Sequence, residues 1–184
     1  MKKEGNNIEK IYPLTSMQEG MLFHSIKEKS DVYFNQLFYT STGEIDLTIF
    51  TKTLDVLSKR HDVLRTAFVF ESTERPVQVV LKNRTIDTTI LDKTDLDSVA
   101  YQVFIDDLKR NDVKKGFDLL KDPIIRLTIV KREEELYDFL WSYHHIILDG
   151  WCLTVMFEEL QEIYFSLKEN KELSLPTPYR LIIM

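Results

Sequence analysis

The chain is poor in the residues that staple or interrupt a fold. Among 184 residues there are one cysteine, Cys152, five glycines and five prolines. A single thiol excludes an internal disulfide and fits a reducing compartment. So little Gly and Pro excludes a collagen-like or linker-dominated chain. Positive charge is also short: 24 Lys and Arg stand against 30 Asp and Glu, a net charge of −6. A duplex nucleic-acid binder needs a basic face to neutralise phosphates. Here the basic pairs Lys59-Arg60, Lys109-Arg110 and Lys114-Lys115 sit among acids, as on a solvated surface. No apolar run is long enough to span a bilayer, and the N-terminus does not resemble a signal peptide. The chain reads as cytoplasmic, with no nucleic acid and no membrane among its partners. Neither an internal repeat nor a low-complexity tract is present. What remains is an ordinary globular composition, 43% hydrophobic and 29% charged, in a length suited to one domain.

Periodicity gives a coarse order of elements. "MKKEGNNIEK", residues 1–10, is polar and reads as a flexible lead-in. After Pro13 a helix is expected, with Ser16 and Glu19 at capping-box spacing and Met17, Met21, Leu22 and Ile26 on one face. "DVYFNQLFYTST" reads as a strand. A second helix capped by Asp46 should bury Leu47, Phe50, Leu54 and Leu57. Strands "LRTAFVFE", "PVQVVLK" and "TIDTTILD" precede a third helix over about 96–111, with Leu96, Val99, Val103 and Leu108 facing inward. "PIIRLTIVK" and "LYDFLWSYHH", joined by "REEE", form a hairpin, and a last helix runs over about 151–167. Strands interleaved with helices indicate an α/β fold, a mixed β-sheet sandwiched with helices. The ending "LSLPTPYRLIIM" leaves apolar residues that belong to no completed element.

The stretch "YHHIILDGWC" (Tyr143 to Cys152) carries the chemistry. Packing explains its aliphatics, but not two imidazoles and a carboxylate at one chain reversal. Side chains alternate along a strand. Leu136, Asp138, Leu140, Ser142 and His144 therefore share one face, and Tyr137, Phe139, Trp141, Tyr143 and His145 the other. Four readings follow. The histidines could be structural, with Asp149 capping the last helix. They could ligate a metal with Asp149, against which their opposite directions count. Cys152 could be a nucleophile with a histidine base, although it suits the core of the helix's first turn better. One histidine could be a general base beside a bound substrate. Gly150 would let the turn tighten or another group approach closely. Residue physics alone leaves these open.

"HHIILDG" resembles the His-His-x-x-x-Asp-Gly signature of the condensation domains of non-ribosomal peptide synthetases and of related acyltransferases with the chloramphenicol-acetyltransferase-like fold. "RHDVLRTAF" (Arg60 to Phe68) and "LTSMQEGMLFHS" (Leu14 to Ser25) resemble two further segments of that family, in the same order. The resemblance implies amide formation between two carrier-bound thioesters, with His145 at the catalytic position and His144, Asp149 and Gly150 supporting the turn. It also implies an arginine partner for Asp149, with Arg65 as one candidate. No cofactor or metal would be bound by the chain itself, since the phosphopantetheine arms arrive on upstream donor and downstream acceptor carrier domains. An adenylation domain would belong to the same assembly line. The opening helix is similar to the subtype that joins a D-configured donor to an L-acceptor. Second-lobe motifs are lacking, so residues 11–184 read as an N-terminal lobe without its C-terminal lobe, inactive alone and prone to self-association. An epimerisation domain or other acyltransferase of the same fold, a non-catalytic docking lobe and a metallohydrolase are the rival readings.

Overall fold

The structure, a computed structural model, describes residues 7–28, 32–71 and 73–178. Seven strands and four helices follow in chain order: β1 (Ile8–Pro13), α1 (Ser16–Glu28), β2 (Phe34–Thr42), α2 (Leu47–Arg60), β3 (Thr66–Val69), β4 (Val77–Leu81), β5 (Asp87–Asp92), α3 (Ser98–Lys115), β6 (Ile125–Glu133), β7 (Leu136–His144) and α4 (Gly150–Lys168). A 3-10 turn, Asp62–Arg65, links α2 to β3. The strands make two sheets. One is antiparallel, in the order β1-β4-β3; the other is mixed, in the order β2-β7-β6-β5, with only β5 and β6 parallel.

Strand alternation decides how the mixed sheet is covered. On β7, Tyr137, Phe139 and Trp141 enter the main core, where Phe50 of α2 and Phe157 of α4 meet the Phe139 and Trp141 rings. The opposite face turns to α3. There the buried Asp138 accepts from the Tyr101 and Thr40 hydroxyls, and Ser142 donates to Asp112. The sheet is thus a layer between α3 on one side and α2 with α4 on the other. β7 lies inside it, paired with β2 and β6, so its C-terminal end is fixed from both sides.

Several expectations need correction. Residues 8–10, expected in the flexible lead-in, begin β1, because Ile8 and Lys10 pair with Leu81 and Val80 of β4, with a register shift between them. The cap of α1 is Thr15 with Gln18, not Ser16 with Glu19: Gln18 N–H donates to Thr15 Oγ1 and Thr15 N–H to Gln18 Oε1. The buried stripe shifts with it to Gln18, Met21 and Leu22, leaving Met17 and Ile26 exposed. On α3 the buried residues are Tyr101 and Ile105, with Leu96 and Leu108 packed beside them, while Val99 and Val103 face solvent. The strand expected over "LRTAFVFE" starts only at Thr66, after the 3-10 turn. Asp46 does cap α2, accepting from Ile49 N–H. Tyr137, Phe139 and Trp141 of β7 are core residues, with Tyr143 partly buried beside them. The exposed apolar side chains near the histidine turn come instead from α1 (Met17, Phe23, Ile26) and from Trp151. The terminal "LIIM" lies outside the described residues. Among those residues no helix is long and apolar enough to cross a membrane.

Candidate active site

The chain leaves β7 at His144, turns over residues 145–149 and enters α4 at Gly150. Ile146, Ile147 and Leu148 are fully buried and anchor the turn in the core. The His145 N–H donates to the Tyr33 carbonyl at 2.8 Å, which ties the turn to the start of β2. The Asp149 carboxylate accepts from Cys152 N–H at 2.7 Å. It is the N-cap of α4, and that backbone hydrogen bond holds its carboxyl below the ordinary range.

The two histidines differ in the hydrogen bonds they have left to make. His144 is buried, with its Nδ1 accepting from Ile146 N–H at 3.1 Å. Nδ1 is therefore unprotonated and the proton sits on Nε2. Nε2 donates to Ser25 Oγ at 3.2 Å, and that hydroxyl donates in turn to the Met21 carbonyl at 2.9 Å. Both nitrogens are used inside the protein. Burial, and then the neighbouring His145, push the His144 pKa down to about 4, so the ring is neutral at neutral pH. His145 is only partly buried. Its Nδ1 lies 2.7 Å from the Leu148 carbonyl oxygen, and a carbonyl can only accept, so Nδ1 carries the proton. The Nε2 lone pair is left over. A neutral imidazole in that tautomer is a proton acceptor with a fixed orientation.

Other sequence candidates fall away on geometry. Arg65 is not a partner of Asp149: its guanidinium bonds to the Ser58 and Leu81 carbonyls, to Glu9 and to Asp62, bracing the end of α2 against the three-stranded sheet. Cys152 lies in the core, and burial pushes its thiol up to about 11, the reverse of an activated nucleophile. Gly150 has no left-handed φ and nothing within 4 Å of an added Cβ. The turn itself therefore does not require glycine there. A shared metal is opposed by His144, whose two nitrogens are both engaged. Among the described residues no group of three or more His, Cys, Asp and Glu gathers that could hold a metal ion. Arg60 and His61, from the second sequence segment, meet Glu159 of α4: Arg60 binds both its oxygens, at 2.8 and 2.9 Å, and His61 Nε2 one at 2.6 Å. This is a buried brace between α2 and α4. It borders a cavity of about 480 Å³ lined by Tyr12, Leu14, Gln18, His61, Asp62 and Gln78 among others.

Sequence reading missed two residues at the turn, Gln18 and Ser25. Gln18 Nε2 donates to the Ile146 carbonyl at 3.2 Å, and Ser25 holds His144. The signal was available: 18, 21, 22 and 25 follow helical spacing, and Thr15-x-x-Gln18 is also a capping box.

Comparison with known proteins bears on the fold and the family. Gramicidin S synthase 2 of Brevibacillus brevis is 38% identical over 185 residues, covering 99% of this chain and 4% of that protein. Bacitracin synthase 3 of Bacillus licheniformis is 43% identical over 165 residues, covering 89% of this chain and 3% of that protein. Among solved structures, the starter condensation domain of rhizomide synthetase superposes with a TM-score of 0.78 at 22% identity, covering 90% of this chain and 41% of that one. The fold is that of the N-terminal part of condensation domains. This chain thus spans a small share of its curated relatives and less than half of the solved domain. The family profile described as "Condensation domain" matches residues 8–180, and the chain belongs to the condensation-domain family.

Proposed function

We propose that this chain supplies the histidine-bearing part of a domain that forms peptide bonds between carrier-bound thioesters, with His145 as the proton acceptor. The observation that carries this reading is the free Nε2 of His145, whose tautomer is set by the Leu148 carbonyl. In the reaction the acceptor's α-amine attacks the donor's thioester carbonyl, and a C–N bond forms as the carbonyl oxygen takes up negative charge. His145 Nε2 accepts the proton the amine must lose. When the intermediate collapses, the C–S bond breaks and that proton is delivered to the departing thiolate of the donor's phosphopantetheine arm. The groups this mechanism binds are thus the arms of a donor and an acceptor carrier domain, loaded by adenylation domains of the same synthetase. Asp149 and His144 shape the turn and do not touch the reacting atoms.

Two finer points belong to the same reading. The opening segment "TSMQEGMLFHS" supports a D-configured donor and an L-acceptor. Holding two thioester arms in line supplies much of the rate, so the 184 residues alone are expected to lack turnover. Exposed Phe23, Ile26 and Trp151 offer apolar surface for the rest of a domain or for a second copy of the chain.

The test is His145→Ala in a complete condensation domain that contains this chain. Dipeptide formation between loaded carriers should fall by at least about a hundredfold, and a D-loaded donor should react faster than its L-epimer in the unsubstituted domain. An unchanged rate in the variant would remove His145 as the base. Equal rates for the two epimers would remove the subtype.

A further inference from the structure

Helix α1 sends two polar side chains to the histidine turn. Gln18 is 2% exposed, and its amide has one workable orientation. Its Oε1 accepts from Thr15 N–H at 3.0 Å and from Gln78 Nε2 at 3.3 Å, while its Nε2 donates to the Ile146 carbonyl. Flipped, the amide would set NH₂ against an N–H and oxygen against a carbonyl. Ser25 lies seven residues on, on the same helix face, and takes the Nε2–H of His144.

These contacts converge on Ile146, the residue after His145. Its N–H is held by Nδ1 of His144, which Ser25 anchors. Its C=O is held by Gln18. The two peptide planes that flank Ile146 are therefore pinned, one by Gln18 of α1 and the other by the His144 ring, which Ser25 of α1 holds. Leu148, whose carbonyl sets the tautomer of His145, comes two residues later in the same turn.

We propose that Gln18 and Ser25 are positioning residues for His145. By fixing the Ile146 peptide planes they keep the Leu148 carbonyl opposite His145 Nδ1–H, so that Nε2 keeps its lone pair and its direction. The catalytic consequence rests on the reading of His145 as proton acceptor; the geometric claim does not, and is testable without turnover.

The experiment is imidazole ¹⁵N NMR on the uniformly labelled 184-residue chain at neutral pH, with Gln18→Met, Ser25→Ala and Ser25→Thr. In the unsubstituted chain His145 should report the Nδ1–H tautomer and His144 the Nε2–H tautomer. Gln18→Met keeps the length of the side chain and removes its donor. It should shift the His145 tautomer ratio on the order of tenfold toward the average of a free ring. Ser25→Ala should do the same at His144 first and at His145 to a lesser degree, and Ser25→Thr should restore both. A merely structural role would lower the melting temperature and leave the ring nitrogens alone. Wild-type tautomers at both histidines in folded Ser25→Ala, or at His145 in folded Gln18→Met, would overturn the proposal. Should Gln18→Met not fold, the Ser25 pair decides. Ring shifts that respond as expected, beside unaltered condensation by His145→Ala in a complete domain, would uphold the positioning and remove the base.

Discussion

Acidification should unfold this protein through His144 before its carboxylates take part. The folded pKa is pushed from 6.5 down to about 4 by burial and by His145. Between those values the unfolded chain binds a proton on this ring that the native chain does not. Stability therefore rises with pH in that window: the contribution is complete above about pH 6.5 and is lost as pH falls toward about 4. Each pH unit costs about 1.4 kcal/mol and the whole window about 3 kcal/mol. That is a large part of the roughly 5–15 kcal/mol of a typical domain. The structural cause is specific, because a proton on Nδ1 would face the Ile146 N–H, donor against donor, in a buried site.

The assay is urea unfolding between about pH 7.5 and about pH 4.5 for the wild type and for His144→Asn. Asparagine can still accept from the Ile146 N–H and does not titrate. The Asp149 and Glu159 carboxyls, both held low, lose stability with the same sign at lower pH, but they do so in both proteins. Only the difference between the curves belongs to His144. Wild type should lose about 2.5 kcal/mol more than the variant across that pH range. Parallel curves would refute the reasoning, as would a His144 ring that titrates at an ordinary histidine pKa in the folded chain.

Three substitutions test other contacts of the same region. Glu159→Gln should destabilise by about 3 kcal/mol, because it leaves Arg60 and the buried His61 facing a neutral amide; a loss below about 1 kcal/mol in a thermal melt would place the cluster with exposed ion pairs. Asp149→Ala should cost about 1 kcal/mol as a lost N-cap, whereas Gly150→Ala should stay within about 0.5 kcal/mol of wild type, since a Cβ there meets open space. The reverse order would mean that the glycine, not the cap, shapes the turn.

Elements with strong local signals were legible in the sequence. The stripe Phe50, Leu54 and Leu57 with Asp46 ahead of it specified α2, and alternation along "LYDFLWSYHH" separated the core face from the α3 face. Where two local patterns competed, spacing could not choose. Ser16 with Glu19 and Thr15 with Gln18 both fit a capping box; a long-range partner, the Ile146 carbonyl 128 residues away, favours the second. The stripe of α3 was misread because Tyr101 buries its ring by giving its hydroxyl to Asp138, a partner on another element. The arginine expected at Asp149 was misplaced for a similar reason. Arg65 is buried and satisfied by four groups, two of them local (the Ser58 carbonyl and Asp62) and two, Glu9 and the Leu81 carbonyl, brought to it by the three-stranded sheet. At the site itself the residue types were readable, whereas the hydrogen bonds that distinguish the two histidines needed the turn and α1.

That distinction follows from the period of a strand and the inventory of a ring. His144 ends β7 with its ring inward, and His145, the first residue of the turn, stays only partly buried. An imidazole has two nitrogens, one donor and one acceptor when neutral. His144 uses both inside the protein, on Ile146 and Ser25. It thereby holds the peptide that follows His145, while burial keeps it uncharged beside that second ring. His145 uses only its donor, on Leu148. A charged His144 would repel a proton arriving at His145. A His145 with both nitrogens bonded could accept none. On the proposed reading the pair is coupled: the buried ring stays neutral and fixed so that the partly buried one keeps a directed lone pair, and a one-residue slip of β7 against β2 would exchange their environments and abolish both.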